Sequence, residues 1–198
     1  MRRCTGSAVL LSISLIFVSL VTGGCGQAES TNDVVKSVYT YLNPESCTEF
    51  IDQDDPNSTI HQLCDGVSGY ALIMRHVDSG RKSIDVLTPG KKEFPLDYQV
   101  FITRHMSHLD DKAEWRVLIK NQKEIPIALV ARVHVHESED EPERITHAYL
   151  AVAKITPDEI CITDRILDAS VSREQILNVA DSAQKKKCLQ PLPSTIID

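Results

Sequence analysis

Glycine is scarce in this chain. There are 8 in 198 residues, and beyond residue 28 only Gly66, Gly69, Gly80 and Gly90 remain. No glycine-rich turn is present, which excludes a phosphate-cradling loop. No Gly-x-Ser-x-Gly occurs, which removes the nucleophile elbow of the α/β-hydrolases. Ser68, between Val67 and Gly69, reads instead as the entry to a strand. No two cysteines stand at Cys-x-x-Cys spacing, which argues against a structural zinc site or a dithiol redox motif. Aromatic residues make up 5%, with a single tryptophan, Trp115. Basic residues are in deficit, 21 Lys+Arg against 28 Asp+Glu. That balance argues against nucleic acid and against anionic membrane surfaces as partners. After the N-terminal run there is no second long hydrophobic segment, so nothing downstream reads as a membrane span.

What is there begins with that N-terminal run. Arg2 and Arg3 precede an apolar stretch from Ala8 to Val21, interrupted only by Ser12, Ser14 and Ser19, and small residues follow through Ala28. This is the pattern of an export signal, too short and too small-residued at its end for a good span. Two cleavage positions compete. Cutting before Cys25, a signal over residues 1–24, leaves a cysteine for lipid attachment as in bacterial lipoproteins; Gly23 and Gly24 suit this, whereas Thr22 stands where leucine is usual. Cutting after Ala28, a signal over residues 1–28, releases an unanchored chain. Removing the leader takes away Arg2 and Arg3 and no acid, moving the net charge from −7 to −9. The expected location is periplasmic or extracellular, with the membrane reached only through a lipid on Cys25.

Export places the remaining cysteines in an oxidising compartment. Cys47, Cys64, Cys161 and Cys188 allow three connectivities. The local pairs Cys47–Cys64 and Cys161–Cys188 are favoured, because each closes a loop at one end and leaves the apolar middle unbridged. Chain entropy gives roughly 3 kcal/mol for the first and roughly 3.5 for the second.

Residues 29–37 read as a polar tether, and 38–198 as one domain. Strand formers fill 37–42, and 52–59 is an acidic loop. Strands are expected at 69–77 and 81–87, with a turn at Asp78-Ser79-Gly80. Residues 97–103 read as a short strand or an amphipathic stretch, and 106–112 as loop. Further strands are expected at 114–120, 125–136, 144–155 and 160–166, the third pairing back on the second across the acidic tip 137–143. In Arg132-Val133-His134-Val135-His136 the valines face one way and the polar residues the other. From Ser172 the period changes: Ile176, Val179, Ala180 and Ala183 mark a helix. Ser172 with Gln175 forms a capping box, and Lys185 to Lys187 suit the helix C-terminus. The fold reading is α+β: a mostly antiparallel sheet of about six or seven strands, a C-terminal helix packed on one face, and two disulfides.

Candidate chemistry is sparse, and no catalytic residue or cofactor motif is assigned. His134 and His136 share a strand face, and a hairpin centred on the acidic tip would bring His147 beside them. Three imidazoles, with Glu137 near, could hold zinc or copper; the bland alternative is a solvated hairpin face. His105 and His108 with Asp110 and Asp111 form a second histidine–acid cluster in the expected loop. The acidic tip lacks an EF-hand pattern and reads as a solvated turn. In Glu114-Trp115-Arg116, Trp115 is expected in the core and its two neighbours in surface or rim pairs. Asn57-Ser58-Thr59 is a glycosylation sequon, meaningful only in a eukaryotic host.

The order and spacing of Tyr39-Thr40, Cys47, Cys64-Asp65-Gly66, Gly69-Tyr70, Asp78 to Ser83, Glu114-Trp115-Arg116, Pro126 to Arg132, Cys161 and Cys188 resemble a group of small exported bacterial proteins of unknown function. The resemblance spans nearly the whole mature chain. It implies export, a four-cysteine frame and one domain, and no activity. The functional expectation is a non-enzymatic module that binds an envelope protein or small molecule through its sheet face or loops. The competing expectations are a small metal-dependent enzyme on His134, His136 and His147, or an inhibitor of a hydrolase.

Overall fold

Residues 33–51, 59–78, 80–138, 140–141 and 143–193 are described by the computed structural model. The leader with Cys25, positions 29–32 of the expected tether, the acidic stretch 52–58 with Asn57 and Ser58, and Ser79, Glu139 and Pro142 lie outside the described residues.

Ten strands follow one another as β1 Val34–Tyr41, β2 Cys47–Ile51, β3 Ile60–Asp65, β4 Ala71–His76, β5 Lys82–Leu87, β6 Glu93–Pro95, β7 Met106–Lys120, β8 Lys123–His136, β9 His147–Ile155 and β10 Ile160–Leu167. A single helical turn, α1 Tyr98–Phe101, lies between β6 and β7. The helix α2 Arg173–Asp181 follows β10 through a 3-10 turn at Asp168–Ser170. The strands form two antiparallel sheets of five, ordered β1-β7-β8-β9-β10 and β2-β3-β4-β5-β6. The expectation of one sheet of six or seven strands is therefore replaced, among the described residues, by two sheets and ten strands.

The missing strands are those with weak local signals. Cys47–Ile51 and Ile60–Asp65 carry polar residues among few apolar ones. They are held as a hairpin because Cys47 and Cys64 are directly paired across the strands and joined by a disulfide. Residues 106–112, expected as loop, are the first half of β7. Ser107 and Leu109 turn inward and His108 and Asp110 outward, and residues 106–109 pair with 133–136 of β8. Val34–Ser37, expected as tether, belong to β1, whose pairing runs from Val34↔Ile119 to Tyr41↔Lys112 along the edge of β7. Pro126 is accommodated at a register shift, where Val117 pairs with Pro126 and Arg116 with Ala128, so its missing N–H breaks no regular ladder.

Alternation along the strands sorts the core into layers. Cys64, Leu72, Met74, Ile84 and Val86 of the second sheet meet Trp115, Val117, Leu129, Ala131, Val133 and Ala153 of the first in one buried cluster. Trp115 lies fully within it, donating its indole N–H to Thr40 Oγ1 at 2.9 Å. On the opposite face of the first sheet, Ala128, Val130, Leu150 and Val152 pack against Ile176, Ala180 and Ala183. The centre of the first sheet is thus covered on both faces, by the second sheet and by α2.

The helix is fixed at both ends. Its N-terminus carries the expected capping box, with Ser172 Oγ accepting from Gln175 N and Gln175 Oε1 accepting from Ser172 N. Past its C-terminus, Lys186 donates to Asp164 at 2.7 and 2.8 Å, and the disulfide Cys161–Cys188 ties the segment to β10.

Candidate functional site

Between α2, the preceding 3-10 turn and the first sheet lies a cleft of about 450 Å³. The volume falls within the ~300–1,000 Å³ typical of small-molecule sites. Its apolar lining comes from Val130, Leu150, Val171 and Ile176; Tyr39, Lys112, Arg132 and Arg173 face Asp110, Glu114 and Asp168 around them. The first sheet supplies this mixture because its outer face is apolar only where α2 covers it. Further along the same strands the positions that alternate with the inner core carry charge.

Two ion-pair groups shape the cleft. In the first, Glu114 accepts a two-pronged bond from Arg173, at 2.5 Å to each carboxylate oxygen, and Arg173 also donates to Tyr39 Oη at 3.0 Å. Hydrogen bonding to Glu114 raises the Arg173 pKa further above its ordinary value. Behind it, Arg116 grips Asp181 at the end of α2 at 2.6 and 2.9 Å. Glu114 and Arg116 were expected in surface or rim pairs; both are buried, at 6% and 5% exposure, because α2 closes over them. In the second group, Arg132 stands between Asp110, 3.3 Å from Nη1, and Asp168, 3.1 Å from Nε. The Nε–Asp168 contact is within ion-pair distance but out of line for a hydrogen bond. This buried N–H therefore has a charged neighbour and no hydrogen-bond acceptor.

The histidines divide between the two faces of the sheet. His147 pairs with Val135, so it shares the face of Val133 and Val135, opposite to His134 and His136. The three histidines proposed as a metal set do not come together. His147 lies 3.7 Å from Glu137, and His105 lies 3.6 Å from the same carboxylate. They line a smaller hollow of about 190 Å³ with Tyr149 and Arg165. On the other face, β7 brings His108 opposite His134. His108 Nδ1 lies 2.7 Å from His136 Nε2, and the His108 and His134 rings stack with centroids 4.8 Å apart. Asp110 touches this cluster as well, 3.9 Å from His134 Nε2. The histidine cluster and the cleft therefore share Asp110 as a common wall. Burial, then the proximity of His134 and His136, lowers the His108 pKa.

A further titratable group lies on the second sheet, on the face turned from the first. Arg75 Nε donates to Asp85 Oδ2 at 2.6 Å, and Arg75 also pairs with Glu93. Burial pushes Asp85 up to about 7, Glu93 adds to the rise, and Arg75 opposes it.

The cleft escaped the sequence because its walls come from β1, β7, β8, β9 and the segment before α2, which no local spacing connects. The one available signal was the run of charged residues alternating with apolar ones in Asp110 to Arg116. Among the described residues no helix is long and apolar enough to cross a membrane. No protein-family model, curated protein or solved structure matches the chain.

Proposed function

We propose that the chain is an exported, non-enzymatic binding module whose ligand occupies the cleft between α2 and the first sheet. The leader and the two disulfides support the exported setting. The observation that carries the reading is the cleft of about 450 Å³ itself, where the Arg132 side chain, 41% exposed between Asp110 and Asp168, stands beside an apolar floor. An exposed N–H of that guanidinium can donate a charge-assisted hydrogen bond to a ligand oxygen. The matching ligand is a small molecule or extended peptide with a carboxylate or amide oxygen for Arg132. Its apolar body rests on Val130, Leu150 and Ile176. The equal numbers of cations and carboxylates around the cleft suit a ligand of low net charge over a polyanion.

Capture from envelope extract tests this, with the protein, its Arg132→Ala variant and a Lys92→Ala control immobilised in parallel and the retained species read by mass spectrometry. The expected result is a species held by the parent and by Lys92→Ala and lost from Arg132→Ala. Equal retention by all three places binding elsewhere and overturns the assignment to the cleft.

A further inference from the structure

His108, from β7, and His134 and His136, from β8, are gathered on one sheet face beside the cleft, with His134 touching the cleft carboxylate of Asp110 at 3.9 Å. His108 was expected in a loop with no partner element. The register of β7 on β8 instead sets it opposite His134, with His136 two residues further along the same face. From this juxtaposition we propose that His108 and His136, joined by His134, bind a divalent transition-metal ion of the zinc or copper class.

Four observations point that way. First, His108 Nδ1 and His136 Nε2 already approach to 2.7 Å. Two imidazole nitrogens on one tetrahedral ion stand about 3.3 Å apart, given metal–nitrogen bonds near 2.0–2.1 Å, so a small opening of this pair admits the ion. Second, the His108 and His136 rings lie with centroids 4.9 Å apart at an interplanar angle of 40°, so they are tilted toward one another rather than stacked flat. Third, the His134 ring is stacked on His108 at an interplanar angle of 21°. His134 would have to turn about its side-chain bonds to bring a third nitrogen in, and Asp110, already 3.9 Å from His134 Nε2, is placed to orient that ring as carboxylates do around bound metals. Fourth, the set contains imidazoles and a carboxylate and no thiolate, which selects zinc(II) or copper(II) over the soft monovalent ions. The alternative account of the 2.7 Å contact is a hydrogen bond between two neutral rings with no capacity for metal.

Titration of the purified protein with zinc separates the two accounts. Its free thiols are alkylated beforehand, and binding is followed by calorimetry and by competition with a chromophoric chelator. Folding of each variant is checked by Trp115 emission. The expected result is one ion per chain, with affinity falling as the pH is lowered from about 7.5 to about 5.5. His136→Ala and His108→Ala should each weaken binding at least about tenfold. His147→Ala, on the other sheet face, should leave it unchanged. Absence of stoichiometric binding overturns the site, as does binding that His136→Ala leaves intact or that His147→Ala weakens equally. The readout is the ion itself, so it is independent of whether the cleft takes a ligand.

Discussion

Replacing Arg116 with methionine isolates the contact that clamps α2 to the sheet. The Arg116 side chain is 6% exposed and spends its fork on Asp181, while Ser37 Oγ takes a further bond. Methionine fills much of the same volume, so the loss is electrostatic rather than a cavity. Asp181 would be left as an unpaired carboxylate at the last residue of α2, where the helix dipole is unfavourable to it. Glu114 would keep Arg173 but lose a cation 3.9 Å away. Breaking a buried pair by removing one partner costs about 3–5 kcal/mol. Asp181 is 32% exposed and can partly rehydrate, which puts Arg116→Met near the lower end, about 3 kcal/mol. For a chain of this length that lowers Tm by about 6–12 °C. Urea unfolding followed by Trp115 emission measures it, since the only tryptophan is fully buried next to the substitution. A companion variant sharpens the test: Arg116→Met/Asp181→Leu removes both charges and should recover at least about 1 kcal/mol of the loss, because no stranded carboxylate remains. A single variant within about 1 kcal/mol of the parent, or a double variant worse than the single one, would refute the clamp.

Three further outcomes are expected. Asp85 has its folded pKa raised from 3.8 to about 7, so its contribution is present at low pH and lost as the pH rises through about 7. Asp85→Asn should therefore gain stability relative to the parent as the pH rises from about 4 to about 7, measured by urea midpoints; a pH-independent difference contradicts the assigned shift. Cys161→Ala/Cys188→Ala opens a loop of sequence separation 27 and should cost about 3.5 kcal/mol, with faster amide exchange after α2 but not within it, since Arg116 and the apolar face still hold the helix. Ser172→Ala removes one half of the capping box and should cost about 1 kcal/mol by the same urea assay; a loss below about 0.3 kcal/mol contradicts the cap.

The helix and the strands with clean alternation were legible because their signals are local. Ser172 with Gln175 specifies a helix start within four residues, and Val133 and Val135 specify a strand face within three. The disulfide frame was legible for a different reason: two short loops at the chain ends leave few reasonable pairings. What escaped was set by partners far away in sequence. Residues 106–109 look like loop on their own and are strand only because residues 133–136 lie alongside. Glu114 and Arg116 look like surface charges on a half-exposed strand until α2 arrives from sixty residues downstream to bury them.

The same distance effect decided the fate of the histidines. A hairpin centred on the acidic tip brings His147 near His134 and His136 along the chain, yet contact on a sheet depends on the parity of the register as well as on proximity. Val135 pairs with His147, and a period of two then assigns His147 to the opposite face from both neighbours of Val135. A slip of one residue in that hairpin would have put it with them. On the other side of β8 the parity runs the other way, and β7 delivers His108 directly opposite His134. Composition located the histidines and one register decided which of them meet. The metal proposal therefore depends on the β7–β8 pairing, and His108→Ala tests the site that this pairing assembles.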